Sequence, residues 1–192
     1  MSDELTDGPD VDGLVEEIDR LRDKVAQLQE RVEQLDRLAH QDSLINLPNR
    51  RGFMRELERL IARVGRYGDT AAMLFVDLDG LKMINDTFGH GAGDEALIQV
   101  ADLLSNGSRR SDVVARIGGD EFGILLENSD DERAHETAKR LTDLISGTDL
   151  VYEGDALPLS VAIGVSVIGA EDTAEAVIAR ADEEMYRRKA AA

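Results

Sequence analysis

The stretch "DVVARIGGDEFGILL", residues 112–126, constrains the fold more than any other. Apolar and β-branched residues on both sides read as strands, and Gly118-Gly119 between them is a turn signal, so the segment predicts a β-hairpin. A glycine pair permits positive φ and leaves no Cβ to obstruct a ligand. The next two residues, Asp120 and Glu121, present carboxylates at the rim of the tip. A strand that only packs has no need of both acids there. Taken alone, the arrangement reads equally well as an ordinary Gly-Gly turn with solvated acids.

A second source of carboxylates lies upstream. "MLFVDLD" sets Asp77 and Asp79 at the exit of an apolar strand, and strand alternation points both to one face and Leu78 to the other. The surrounding patterns predict a helix around 50–66, a strand at 71–79, a helix-like stretch ending in "NDTFGHGAGD" and a helix over about 92–107. After the hairpin come a helix at about 130–147, a strand pair within 151–168 that includes "LPLSVAIGVSVIG", and a last helix from about 172. This order predicts a βαββαβ-type α+β sandwich. In that topology the first strand and the second strand of the hairpin are neighbours, which lets Asp77 approach Asp120 and Glu121. Three converging carboxylates repel one another unless a cation sits between them. A hard divalent ion such as Mg²⁺ is the natural answer, because it takes oxygen ligands and bridges substrate phosphates.

The N-terminal part follows a different period. Val11, Ile18, Val25 and Val32 recur every seven residues, with Leu14, Leu21, Leu28 and Leu35 at the other apolar heptad position. β-Branched residues at a and leucine at d favour a parallel two-stranded coiled coil. In a parallel pair Glu17 faces Arg22 of the partner helix, Arg31 faces Asp36, and Lys24 opposite Gln29 is neutral, so no pair repels. The competing possibility, one amphipathic helix packed on its own domain, ordinarily carries a wider apolar stripe. The chain thus divides into a disordered polar tail (1–10), a coiled-coil dimerisation helix (11–40) and a globular domain (41–192).

Composition narrows the chemistry. The formal net charge of −18 opposes binding to nucleic acid or an anionic membrane through a general field, while a local basic pocket for a small anion is still allowed. There is no cysteine, so disulfides and thiolate metal sites are excluded. "MSDELTDGPD" lacks the basic and apolar regions of a signal peptide, and no apolar run approaches the roughly 20 residues that span a bilayer. A cytoplasmic location is expected.

Five segments, in order and suitably spaced, together resemble the GGDEF-domain diguanylate cyclases: "DSLINLPNRR", "DLDGLKMINDTFGHGAGDEAL", "RRSDVVARIGGDEF", "LSVAIGVS" and "ADEEMYRRK". The resemblance covers about Asp42 to Lys189. It implies a ferredoxin-like, nucleotidyl-cyclase (palm-like) fold and the joining of two GTP molecules into cyclic di-GMP. It makes Asp77, the Leu78 carbonyl, Asp120 and Glu121 the site for Mg²⁺ or Mn²⁺, with Asp120 or Glu121 assisting deprotonation of the attacking hydroxyl. Gly118 and Gly119 let the main chain approach the nucleotide. Asn85 and Asp94 match guanine readers, and guanine's O6 acceptor and N1–H and N2–H donors suit an amide and a carboxylate. By themselves these two residues read more readily as helix-capping and turn residues. Lys82 and Lys189 match basic residues near the triphosphate, Lys82 also as part of the catalytic set, although each alone reads as a solvated helix face.

Further consequences of the resemblance concern control. Because each domain of the family binds one GTP, two must face each other, and the heptad helix would tether them. Arg109 and Asp112 in "RRSD", with Arg140 in support, match an inhibitory site for cyclic di-GMP, where arginine forks suit phosphate and the guanine Hoogsteen edge. Otherwise "RRSD" is an exposed charged turn. Departures from the pattern are Leu81 at a common aromatic position, Ile45-Asn46 in place of Thr-Gly, and the absence after Lys189 of a Gly-Arg pair whose arginine contacts phosphate; Arg187 or Arg188 are the candidate substitutes. The alternative to a product-inhibited cyclase is a non-catalytic module that binds GTP or cyclic di-GMP.

Overall fold

The heptad stretch folds as a single 30-residue helix, α1 (Val11–His40). The structure, a computed structural model, describes residues 11–191, and of Val11, Asp12, Glu33, Arg37 and Ala191 the backbone alone. The tail expected over 1–10 lies outside the described residues. Contacts divide the chain into two units between Ala39 and His40. On α1 the apolar seam is uncovered in the single chain, with Ile18 48 %, Val25 53 % and Leu28 54 % exposed. Its charges pair along the helix, Arg20 with Glu17 at 2.8 Å and Arg22 with Asp19 at 3.5 Å.

The second unit is built on the strand signals. Strands β1 (Ala71–Leu78), β2 (Val113–Arg116), β3 (Glu121–Glu127) and β6 (Val161–Val167) form one antiparallel sheet in the order β2-β3-β1-β6. Helices α4 (His90–Asn106) and α5 (Asp131–Ser146) cover one face, while α2 (Arg50–Tyr67) and α6 (Ala174–Ala191) cover the other. This is the α+β sandwich with a split βαβ core that the element order predicted.

Strand β1 is apolar from Ala71 to Val76 because both of its faces are buried there. Ala72, Leu74, Val76 and Leu78 join the α4/α5 core, and Ala71, Met73 and Phe75 join the α2/α6 core. By the same alternation Asp77 emerges on the α2/α6 side. Helix α6 comes close to the sheet because Gly164 makes room: a Cβ there would lie 2.0 Å from the Ala181 carbonyl oxygen.

Two expectations are corrected in detail. The strand pair within 151–168 is three strands, β4 (Asp149–Tyr152), β5 (Asp155–Pro158) and β6, the first two forming a separate two-stranded sheet. Its turn runs through Glu153 and Gly154 at φ 52° and 98°, the left-handed pair of a type I′ hairpin that a non-glycine first residue conceals in the sequence. The "NDTFGHGAGD" stretch belongs to two helices, α3 (Leu81–Phe88) and α4, with the break at Gly89, whose φ is 86°. Among the described residues no helix is long and apolar enough to cross a membrane.

Candidate active site

The hairpin closes tightly: the Ile117 and Gly118 N–H groups both donate to the Glu121 carbonyl, at 2.9 and 3.2 Å. Neither glycine of the tip adopts a positive φ. Gly118 is needed for space instead. A Cβ there would stand 2.1 Å from Glu121 Oε2, whereas one on Gly119 would meet nothing within 4 Å. The main chain at Gly119 is therefore open to an approaching molecule, and Gly118 lets the Glu121 side chain fold across the turn.

Antiparallel pairing sets Asp77 directly opposite Glu121, and the Leu78 N–H donates to the Asp120 carbonyl at 2.9 Å. Directly opposed side chains share one face at about 5 Å between Cβ atoms. Burial pushes the Glu121 carboxyl above the usual glutamate range, and the charges of Asp120, Asp77 and Asp182 add to the shift against an opposing contribution from Arg50. Asp77 and Glu121 thus share this strand end, with Asp120 adjacent to Glu121 in the chain. Among the described residues no three His, Asp or Glu side chains form a ready-made metal cage. The donor set nonetheless fits a hard cation such as Mg²⁺, which keeps waters and substrate oxygens in its shell and asks the protein for only one or two carboxylates.

Lys189 is where the structure adds most. Its Nζ contacts Asp77 Oδ1 and lies 3.1 Å from Asp79 Oδ1. The resemblance implies a place for this lysine near a triphosphate, and the structure sets it on the carboxylates of Asp77 in β1 and Asp79 just beyond, which raise its pKa, Asp77 foremost, over the opposing effect of burial. Asp79 is further held by the Ser160 hydroxyl at 3.0 Å. A recess of about 310 Å³ opens beside them, lined by Asp79, Thr142, Ile163, Arg188 and Lys189 among others. Of the two arginines considered as phosphate ligands, Arg188 lines this recess, while Arg187 lines a separate groove with Glu183. Lys82 stands exposed on α3.

Asn85 on α3 and Asp94 in the first turns of α4 come from adjacent helices. The closeness is enforced at Gly93, where a Cβ would lie 2.1 Å from Asn85 Oδ1. At the proposed inhibitory site, Asp112 Oδ2 accepts the Arg109 N–H at 2.8 Å and the Asp112 N–H returns to the Arg109 carbonyl at 3.0 Å. Arg140 lies exposed on α5, and no hydrogen bond or ion pair among the described residues joins it to Arg109 or Asp112.

One site component escaped the sequence reading. Arg116 donates through Nη2 and Nε to the Gly119 carbonyl, at 2.7 and 3.2 Å, and through Nη1 to Asp42 Oδ1 at 3.2 Å. Asp42 in turn accepts the N–H groups of Leu44 and Ile45. The tip is thereby tied to the segment that leads into α2, whose first turn is capped by Asn49. The local signal, an Asp followed by a turn, was legible; its partner 74 residues away was not.

A sandwich with this strand order and an acidic strand end beside an open glycine turn is the architecture of a nucleotidyl-cyclase-like domain. Residues 39–192 match the profile of the diguanylate cyclase GGDEF domain, and the chain belongs to that family. It is 36 % identical over 153 residues to the diguanylate cyclase DgcP of Pseudomonas aeruginosa, covering 80 % of this chain and 23 % of that protein. To the response regulator PleD of Caulobacter vibrioides it is 38 % identical over 156 residues, covering 80 % of this chain and 34 % of PleD. The chain thus spans about a quarter to a third of the length of these two relatives. A solved structure of the coiled coil and GGDEF domain of DgcB from Caulobacter crescentus, in complex with c-di-GMP, superposes with a TM-score of 0.86 at 27 % identity, covering 93 % of this chain and 95 % of that one.

Proposed function

We propose that this chain is a diguanylate cyclase that condenses two GTP molecules into cyclic di-GMP and two pyrophosphates. The observation that carries the reading is Asp77 facing Glu121 across β1 and β3, beside the open main chain at Gly119. Asn85 and Asp94 hold the guanine edge, and Gly118, Gly119, Lys82 and Lys189 serve the phosphates. The 3′-hydroxyl of each GTP forms a bond to the α-phosphorus of the other as the bond to pyrophosphate breaks. The proton leaves toward the carboxylates of the acidic cluster, where the raised proton affinity of Glu121 suits an acceptor. Diguanylate cyclases of this family are generally dependent on a divalent metal. Here Asp77, the Leu78 carbonyl, Asp120 and Glu121 would hold Mg²⁺ or Mn²⁺, which when bound polarises the phosphoryl oxygens and offsets developing charge.

Two domains must meet, and the uncovered heptad seam of α1 supports a parallel homodimer through residues 11–40 that presents the 41–192 domains to each other. Arg109, Asp112 and Arg140 are assigned to product inhibition, since Arg109 is exposed on a turn that the Asp112 carboxylate closes and Arg140 is exposed on α5. The decisive experiment incubates the purified chain with GTP and Mg²⁺ and separates the products. Cyclic di-GMP is expected. Binding of GTP with no product would assign the chain instead to non-catalytic nucleotide-binding modules.

A further inference from the structure

Helix α6 brings Lys189 to the carboxylates of Asp77 and Asp79 from near its own C-terminus, so the geometry of that end matters. Five residues before Lys189 stands Glu184, its side chain 23 % exposed. Its Oε2 accepts the Val165 N–H of β6, and its Oε1 accepts from Arg188 Nη2 at 2.8 Å and Nε at 3.1 Å. His135 Nε2 of α5 lies 3.2 Å from the same Oε1, and its Nδ1 lies 2.8 Å from the Asp131 carbonyl.

The position of this cluster matters because β6 is an edge strand. The Val165 N–H points away from β1 and has no strand partner, a donor that an open edge leaves to solvent or to a foreign chain. Glu184 takes it, and in doing so joins α6 on one face of the sheet to α5 on the other, round the open edge. The same carboxylate fixes Arg188, and Arg188 and Lys189 line one recess with Asp79. Burial opposes charge on His135, but its bonds to Asp131 and Glu184 and the charges of both outweigh that effect and raise its pKa, which favours the ring as a cationic donor. The neighbouring charges are already matched, Arg180 with Asp172 and Arg187 with Glu183.

We propose that Glu184 is a positioning residue for the reaction: fastened to Val165 and His135, it holds the last turns of α6 so that Arg188 and Lys189 face the recess at Asp79. The inference rests on the cyclase reading for its kinetic consequence, though not for its geometry. Substrate phosphates are then met by cations set in place before binding, and loss of the fastening falls on KM for GTP more than on kcat.

The test uses the full chain and compares Glu184→Ala and Glu184→Gln, each first checked for native circular dichroism. Glu184→Ala is expected to lower kcat/KM by about tenfold, the scale of lost outer-shell support, mainly through KM. Glu184→Gln keeps an acceptor for Val165 and restores most of that loss. In a chain already carrying Arg188→Ala and Lys189→Ala, adding Glu184→Ala changes kcat/KM by less than about twofold, because the effect runs through those side chains. Independently of turnover, acylation of Lys189 by an amine-reactive reagent, followed by mass spectrometry, speeds up several-fold in Glu184→Ala as the lysine leaves its carboxylates. Unchanged KM and unchanged Lys189 reactivity in a folded Glu184→Ala would overturn the proposal, as would a full tenfold loss in the Arg188/Lys189 background. A native chain that makes no cyclic di-GMP would remove the cyclase reading, while the reactivity measurement would still decide the role of Glu184.

Discussion

Arg116 Nη1 lies 3.2 Å from Asp42 Oδ1, with both side chains largely buried, at 15 % and 17 % exposed. Burial alone would raise the Asp42 pKa, but the N–H groups of Leu44 and Ile45 and the Arg116 guanidinium bring it below the usual aspartate value. A carboxyl with a depressed folded pKa contributes stability above its unfolded pKa and loses it as pH falls through the folded value. Arg116→Ala is therefore expected to destabilise the chain by about 1–3 kcal/mol at neutral pH. The deficit should shrink on acidification below the ordinary aspartate range. Urea unfolding across pH checks both parts; a deficit independent of pH would mean that Asp42 is not the partner that matters.

Glu121 gives the opposite sign. Its carboxyl holds a proton more tightly folded than unfolded, so stability falls as pH rises from the ordinary glutamate value through the raised one. Glu121→Gln has no such loss and should melt higher than the native chain at neutral pH without metal, the difference vanishing in acid. The same variant should lose about 10²-fold or more in kcat, because a ligand charge is gone while the shape is kept. Thermal melts paired with initial rates test the two effects together, and near-normal turnover would take Glu121 out of the mechanism.

Guanine selection can be probed through a residue that touches no base. Gly93→Ala puts a Cβ 2.1 Å from the present position of Asn85 Oδ1, which must turn away. GTP affinity should drop about tenfold, equivalent to about 1.4 kcal/mol. Alanine is the better helix former, so stability should hold. Asp94→Asn should weaken GTP by about 1–3 kcal/mol, since its amide sets a donor against guanine donors. Calorimetric titration with GTP measures both; unaltered affinity in the pair would leave α3 and α4 without a role in base recognition.

Arg109 closes its turn with its backbone, through the N–H to Asp112 and the carbonyl that accepts in return. Arg109→Ala should consequently preserve the turn and the initial rate while relieving inhibition by added cyclic di-GMP. Progress curves at increasing product concentration are the measurement. If inhibition persists undiminished, "RRSD" is a charged turn and nothing more.

For α1, replacing Ile18 and Val25 by glutamate places like charges in the seam of a parallel pair and should yield monomers. Specific activity should then fall steeply at low protein concentration and partly recover as concentration rises, since chance encounter replaces a tether. Sedimentation alongside activity settles the matter: a monomer with full, concentration-independent activity would end the tethering account.

Much of this molecule is written in local periodicity. The seven-residue repeat from Ile18 to Leu35 forms one helix, the run 71–78 forms a strand buried on both faces, and Asp77 falls opposite Glu121 where those strands pair. Such features are legible because periods of 3.5 and 2 follow from backbone geometry, whatever the rest of the chain does. The Glu153-Gly154 turn was hidden because only one of its two left-handed residues is a glycine.

Other relationships exist only in three dimensions. The glycines of the tip looked like residues chosen for positive φ, yet Gly118 is there for the room that the Glu121 side chain takes up. Nothing near Lys189 in sequence foretells Asp77, 112 residues away, and nothing near Glu184 foretells Val165 or His135. Sequence alone determined which groups would be charged, where the long helix and the apolar strand would lie, and that Asp77 and Glu121 would share a strand end. Tertiary structure decided that a lysine meets Asp77 and Asp79, because Lys189 lies on a C-terminal helix that Gly164 lets settle against the sheet and that Glu184 bonds to the edge strand.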